Sequence, residues 1–464
     1  MPGTIWSAQR LGNPPQKEPE VGRSAFQQDY DRLLFSTPVR RLSDKTQVWP
    51  MDENDGVRTR LTHSHEVANL ARSIGTRVFH KVSDLFDGAN LYETVLPILS
   101  AICLAHDLGN PPFGHQGEVA IGTWFKNREE WIFTQSGPGG GKLEQSVADT
   151  LRGEFLAFDG NPQTLRLLSK LQISVANVGL DLTAATLAAS IKYPVRAGNQ
   201  DKNRPAIKKI GYFESERTLV EWIRQETGLE EGQRHPLTWI METCDDIAYS
   251  VLDVDDAMKK KAISPDDVVA ILESKALSEL VAEIKVSFEK TRKLGGHAEI
   301  VRDIKIDYLR AHFFKALIAD ATTNFVTAAH HIFSYSHEEP LLDKNLLWRA
   351  LTDIARQYAF QNPIVLRTET IGAAALDNIL SCFWNAIYER EKPADLRSKR
   401  RTAFGNYTFS LMSQNYLENA VRAADAKDHA RGMRYRELRL LTDMISGMTD
   451  NYSVRLSNDL RAMK

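Results

Sequence analysis

At 464 residues, with 42% hydrophobic and 25% charged side chains, the chain has enough apolar surface for a sizeable core, which excludes wholesale disorder. A formal net charge of -2 excludes a global attraction to nucleic acid or anionic membrane, so any polyanion must be met by a local patch. No basic segment leads into an apolar one at the start and no uninterrupted apolar run approaches a membrane span, so a cytoplasmic location is expected.

Residues 1–22, rich in Pro, Gly, Gln and charge, read as an irregular arm able to drape over the body or a neighbour. Ser24 to Phe35 then carries Phe26, Tyr30, Leu33 and Leu34 at helical spacing. Past Gln47 a histidine-bearing helix is expected. Counting from His63, Val67, Leu70 and Ile74 share its face, whereas His65 falls with the polar Asn69 and Arg72. His63 therefore points inward and His65 outward. Leu96 to Leu104 is almost wholly apolar and predicts a helix buried on most of its surface, ending at His106 and Asp107 and stopped by Gly109, Pro111 and Pro112. Imidazole beside carboxylate at a buried end is costly unless something pairs with both, and a divalent metal does so. A bare His-Asp pair also arises by chance. Three residues apart at the next helix start, Glu118 can hold the ring of His115, fix its tautomer and raise its basicity; a histidine bonded to backbone is the plainer alternative.

Ser136 to Leu143 invites a phosphate-loop reading, but Ser136 replaces the first glycine and Leu143 the final Ser or Thr, so an ordinary loop is expected. Gly198 to Lys209, polar and basic, reads as a second loop. Helical patterns dominate afterwards: Trp239 to Ala257, Pro265 to Leu294, Val301 to Phe333, Leu341 to Phe360 and Ile371 to Tyr388. Met241, Asp245, Tyr249 and Asp253 form one stripe, which turns Asp245 toward a semi-apolar interior; a metal, a cap or an arginine would relieve it. Pattern alone favours core packing for Tyr249. Cys103, Cys244 and Cys382 are scattered and read as reduced thiols rather than a disulfide framework. His330-His331 lacks a carboxylate partner nearby in sequence and reads as structure, and Arg397 to Arg401 reads as a solvated basic loop. The fold class is mainly α, with at most small strands, and the best boundary lies near Ser334 to Pro340.

The order His63, His106-Asp107, Asp245 resembles that of the HD phosphohydrolase superfamily. Within it, Arg58-Thr59-Arg60-Leu61-Thr62-His63, the run from Ala105 to Glu118, and Ile445-Ser446-Gly447-Met448-Thr449-Asp450 resemble the deoxyguanosine triphosphate triphosphohydrolase branch, with matching blocks from Phe35 to Tyr452. The resemblance implies an HD-domain helical bundle with insertions over residues 23–333, and a helical region, 334–464, completing the active site and oligomer contacts. It implies hydrolysis of a dNTP, with dGTP among the substrates, to deoxynucleoside and inorganic triphosphate; the alternatives are another HD nucleotide phosphohydrolase or phosphodiesterase, or a silent nucleotide- or nucleic-acid-binding protein. Metal ligands implied are His63, His106, Asp107 and Asp245, holding Mn²⁺ or Mg²⁺ first and Fe²⁺, Ni²⁺ or Zn²⁺ as others. His115 and Glu118 become a catalytic dyad, while Gln47, Arg60, Lys192, Tyr249 and Asp253 become substrate contacts. Arg60 and Lys192 would meet phosphate, although both could be surface charges, and Gln47 would meet the sugar. A homo-oligomer, tetramer or hexamer, is implied, with single-stranded DNA or a dNTP effector as further partners and no membrane.

Overall fold

The computed structural model describes residues 4–12, 22–49, 51, 58–134, 146–172, 178–292, 297–426 and 429–463. Among them the chain is mainly helical, and its only β features are three isolated bridges: Arg10 with Thr183, Thr46 with Thr59, and Arg390 with Arg400. The segment from Ser136 to Leu143 lies outside the described residues.

Three helices frame the interior. Arg60–Lys81 starts at the N-cap Thr59, whose side chain accepts from the amide of Thr62 in a capping box. As the face count requires, it buries His63, Val67, Leu70 and Ile74 and leaves His65 exposed. Every residue of Leu96–Ala105 is buried, which suits a sequence apolar on all sides. Pro236–Lys259 crosses both and carries Asp245, Tyr249 and Asp253. Two apolar clusters result, and each takes residues from both sides of the non-helical stretch at Ser334–Pro340. No helix among the described residues is long and apolar enough to cross a membrane.

The structure alters several expected elements. The pattern from Pro265 to Leu294 divides into Pro265–Ser274 and Ser278–Arg292, because Ala276 turns left-handed at φ 63° between them. Leu341 to Phe360 is helical only from Leu346, running to Ala355 and finishing in a wide turn at Arg356–Phe360, while the next helix opens earlier, at Pro363, where proline suits a first turn. The basic run is not a solvated loop throughout. Arg400 is 1% exposed and donates to the carbonyls of Ala386 at 2.7 Å and Leu396 at 2.9 Å, with its guanidinium over the ring of Phe409. Residues 4–12 of the arm lie on the body: Trp6 is buried and stacks on Phe86. All three cysteines are free and buried.

Close approach of backbones fixes the turn after the apolar helix. A Cβ on Gly109 would sit 2.1 Å from the carbonyl oxygen of Gly160 and 2.3 Å from the amide of Thr164, which are backbone atoms unable to step aside. Gly109→Ala is therefore expected to destabilise the protein by roughly 1–3 kcal/mol through overpacking. A lowered Tm in thermal denaturation checks this; an unchanged Tm would show that the turn can relax.

Candidate metal and nucleotide site

The apolar helix ends at His106, its C-cap, so the imidazole emerges from the core beside the inner face of the Arg60–Lys81 helix. The Nδ1–H of His106 donates to the carbonyl of Cys103 at 2.6 Å, which turns Nε2 toward the carboxylates. That Nε2 is buried and makes no hydrogen bond, while lying 3.4 Å from Asp245 Oδ1 and 3.6 Å from Asp107 Oδ1. Asp245 Oδ1 is also 3.1 Å from His63 Nε2. His63, His106 and Asp245 thus each offer one ligand atom within 4.8 Å of the others, a donor set that fits a divalent cation.

Electrostatics supports the same conclusion. Burial opposes a proton on His106, but Asp107 and Asp245 outweigh it and raise the imidazole pKa to about 9. Burial would likewise raise Asp245, yet His106, His63 and Lys192 hold it well below the usual carboxylate range. The cluster calls for a positive charge among its carboxylates. Asp107 stands at its edge: one oxygen pairs with Arg60 and the other accepts from Asn110 Nδ2 at 2.6 Å. Arg60 is buried, so it is not a surface charge. Lys192 is partly buried, 3.6 Å from Glu242 and 3.9 Å from Asp245. For Asp246, burial and the nearby Glu242 raise the pKa to about 8.

In front of the cluster lies a cavity of about 390 Å³, large enough for a small ligand. Gln47, Arg60, Asp107, His115, Glu118, Asp245 and Tyr249 all line it, brought together from distant parts of the chain. His63 and His106 reach it only through Asp245 and Asp107, and Lys192 and Asp253 do not line it. Asp253 is 2% exposed, and burial, with Asp256 and Asp245 nearby, pushes its pKa well up. Tyr249 is not core: it is 37% exposed and stacks on Phe360 at 5.3 Å between centroids, forming an aromatic wall. His115 Nδ1 lies 3.1 Å from Glu118 Oε2, and Glu118 Oε1 accepts from the amide of Gly160 at 2.7 Å. The bond to Glu118 is the main cause of a raised His115 pKa.

Some other lining residues had no sequence signal. Phe360, Leu366 and Glu369 come from the far end of the chain. Beyond the dyad a second cleft, about 430 Å³, shares His115 and Glu118 and carries Lys126, Lys202, Lys208 and Lys209. Lys209 pairs with Asp159 at 2.6 Å. The last three lysines belong to the polar stretch from Gly198 to Lys209, whose charge was visible although its neighbour was not.

Comparison with known proteins shows extended similarity to one family. Residues 60–167 match the HD domain family, a span that includes His63, His106, Asp107 and the dyad. The chain is 33% identical to a deoxyguanosinetriphosphate triphosphohydrolase-like protein of Listeria monocytogenes over 455 residues, covering 95% of this chain and 94% of the relative. Relatives of the same description in Pseudomonas aeruginosa and Synechocystis are 32% and 30% identical, covering 98% and 99% of this chain and 98% of each relative.

Proposed function

The chain belongs to the deoxyguanosinetriphosphate triphosphohydrolase-like family of HD-domain proteins, and we propose that this HD-type nucleotide phosphohydrolase is a dNTP triphosphohydrolase. The observation that carries the proposal is the shared cavity, in which Asp245 of the His63, His106 and Asp245 cluster lines the same walls as Asp107, the His115–Glu118 dyad and an aromatic pair suited to a nucleoside.

A divalent cation held by His63, His106, Asp107 and Asp245 would neutralise charge developing on a phosphoryl oxygen and activate water. Arg60, buried at the cavity edge, is placed to add a fixed positive charge there, and the lysines of the adjoining cleft favour a polyphosphate tail. In the reaction the oxygen of water bonds to the α-phosphorus, and the bond from that phosphorus to the 5'-oxygen breaks. The attacking water gives up a proton, and the departing 5'-oxygen gains one, so the exchange balances. His115, held through Nδ1 by Glu118, keeps Nε2 available to move that proton.

The testing experiment incubates the pure protein with each dNTP and NTP and Mg²⁺ or Mn²⁺, beginning with dGTP, and resolves triphosphate from pyrophosphate and phosphate. Deoxynucleoside with triphosphate is the expected pair. Pyrophosphate or phosphate would favour another HD phosphohydrolase, and binding without turnover a silent binder.

Sugar choice gives a further prediction. Tyr249 lies one helical turn from Asp245, so a nucleotide engaged at the cluster must pack against that ring. A ribose hydroxyl pressed there loses a partner at a cost of ~1–3 kcal/mol, which corresponds to a preference for dNTP of roughly tenfold or more. Tyr249→Ala is expected to weaken dNTP binding and narrow the gap, whereas Gln47→Ala weakens binding without admitting ribose. Equal kcat/KM for GTP and dGTP in the unaltered protein would contradict the arrangement.

A further inference from the structure

Ile445-Ser446-Gly447-Met448-Thr449-Asp450 carries part of the sequence resemblance, yet none of its side chains lines the catalytic cavity. Its bonds instead reach two segments that do. Asp450 is 1% exposed, and its two carboxylate oxygens divide between them: Oδ2 accepts from the amide of Thr46 at 2.9 Å and Oδ1 from the amide of Phe113 at 3.0 Å. Thr46 precedes Gln47. Phe113 stands two residues before His115 and is the N-cap of the helix Gly114–Lys126, with no side-chain cap of its own.

The backbone held there is unusual. Phe113 has φ 63° and Gly114 φ 53°, so two successive left-handed residues aim the helix that carries His115 and Glu118. Left-handed φ is unfavourable for a bulky residue and persists only where its surroundings dictate it. Two features do so besides Asp450. The ring of Phe113 fills the space above Gly372, where a Cβ would come within 2.6 Å of it, and Arg60 lies so close to Gly114 that a Cβ would sit 2.3 Å from Nη2. Around the same motif, buried Lys45 joins the carbonyls of Ser446 at 2.7 Å and Asn110 at 2.6 Å, and Thr449 Oγ1 donates to Asp44 at 2.5 Å.

We infer that Asp450 is a positioning residue: its carboxylate clamps the left-handed turn at Phe113 and the segment before Gln47 together, and so holds the His115–Glu118 dyad in register with the nucleotide. The chemical reason is the acceptor count. Two backbone N–H groups converge on one side chain, and a carboxylate can accept from both, whereas a carboxamide presents one acceptor and one donor. This inference rests on the dyad role proposed above, so its test includes a measurement that needs no substrate.

Asp450→Asn in the full chain is read in two ways. Amide hydrogen exchange without nucleotide is expected to show faster exchange at both Thr46 and Phe113, while the remaining core stays protected. In dNTP turnover, kcat is expected to fall by roughly 10²-fold, the scale of a small misplacement of reacting groups, with metal content kept and KM changed much less. If Asp450 acts through the dyad, the same substitution in a Glu118→Gln background costs little more, because the two losses are not independent. Asp450→Glu keeps the charge and displaces the oxygens, so it separates geometry from charge and serves should the asparagine variant not fold. Continued protection of both amides, or losses that multiply fully in the double variant, would overturn the inference. Faster exchange at both amides in a protein whose unaltered form turns over no dNTP would instead retain the clamp and sink the proposed activity.

Discussion

Alanine at His63 is expected to strip the protein of its divalent metal and to reduce turnover to near background. His63 Nε2 and His106 Nε2 reach Asp245 Oδ1 from two different helices, at 3.1 and 3.4 Å, so removing His63 leaves two donors and an edge carboxylate already engaged by Arg60 and Asn110. The remaining set is unbalanced in both charge and geometry. Outer partners of a metal typically contribute 10–100-fold in affinity or activity, and a direct ligand is expected to exceed about that range. The same loss is expected for His106→Ala, Asp245→Ala and Asp107→Ala. His65→Ala supplies the control, because His65 lies on the exposed face of the same helix two residues away. Metal content measured by elemental analysis, with turnover alongside, decides the matter. Undiminished metal in His63→Ala would remove that residue from the site and reopen the assignment.

Much of this arrangement is legible from the chain because helical periodicity is a local property. The different fates of His63 and His65 follow from which positions share the apolar stripe, and the buried end at His106 follows from nine apolar positions before a Gly and Pro stop. Tyr249 shows where the same rule stops. Pattern alone suggests core packing for an aromatic ring there, but the cavity opens on that side and Phe360, on a later element, supplies the stacking partner. Tertiary context overrides the pattern there. The break at Ala276 carries no glycine or proline to announce it. Arg400 illustrates the opposite error, since a run of basic residues reads as solvated until its carbonyl partners at Ala386 and Leu396 are in place. Lys209 and Glu369 could be seen as charges, but not as neighbours of His115, because loops and distant helices bring them there.

Removing the dyad is expected to separate chemistry from binding. His115→Ala and Glu118→Ala should each retain the metal, since neither belongs to the cluster of His63, His106 and Asp245, and each should still bind dNTP. Turnover is expected to fall by roughly 10²-fold or more in kcat, the usual contribution of a positioned acid-base group. Glu118 acts through both of its oxygens. Gly160 fixes one of them at 2.7 Å, and the other meets His115 Nδ1 at 3.1 Å, so the carboxylate orients the ring and stabilises its protonated form. That bond is the largest cause of the raised His115 pKa, ahead of the opposing burial. Glu118→Gln removes the negative charge while preserving shape, and the sign is then determined: the protonated imidazole loses its stabilising partner, so its pKa must fall. The limb of the pH–rate profile belonging to His115 is expected to move to lower pH in Glu118→Gln, with metal content unchanged. Normal kcat in both alanine variants would reduce the pair to a helix-start contact, and an unshifted limb in Glu118→Gln would show that the titrating group is not His115.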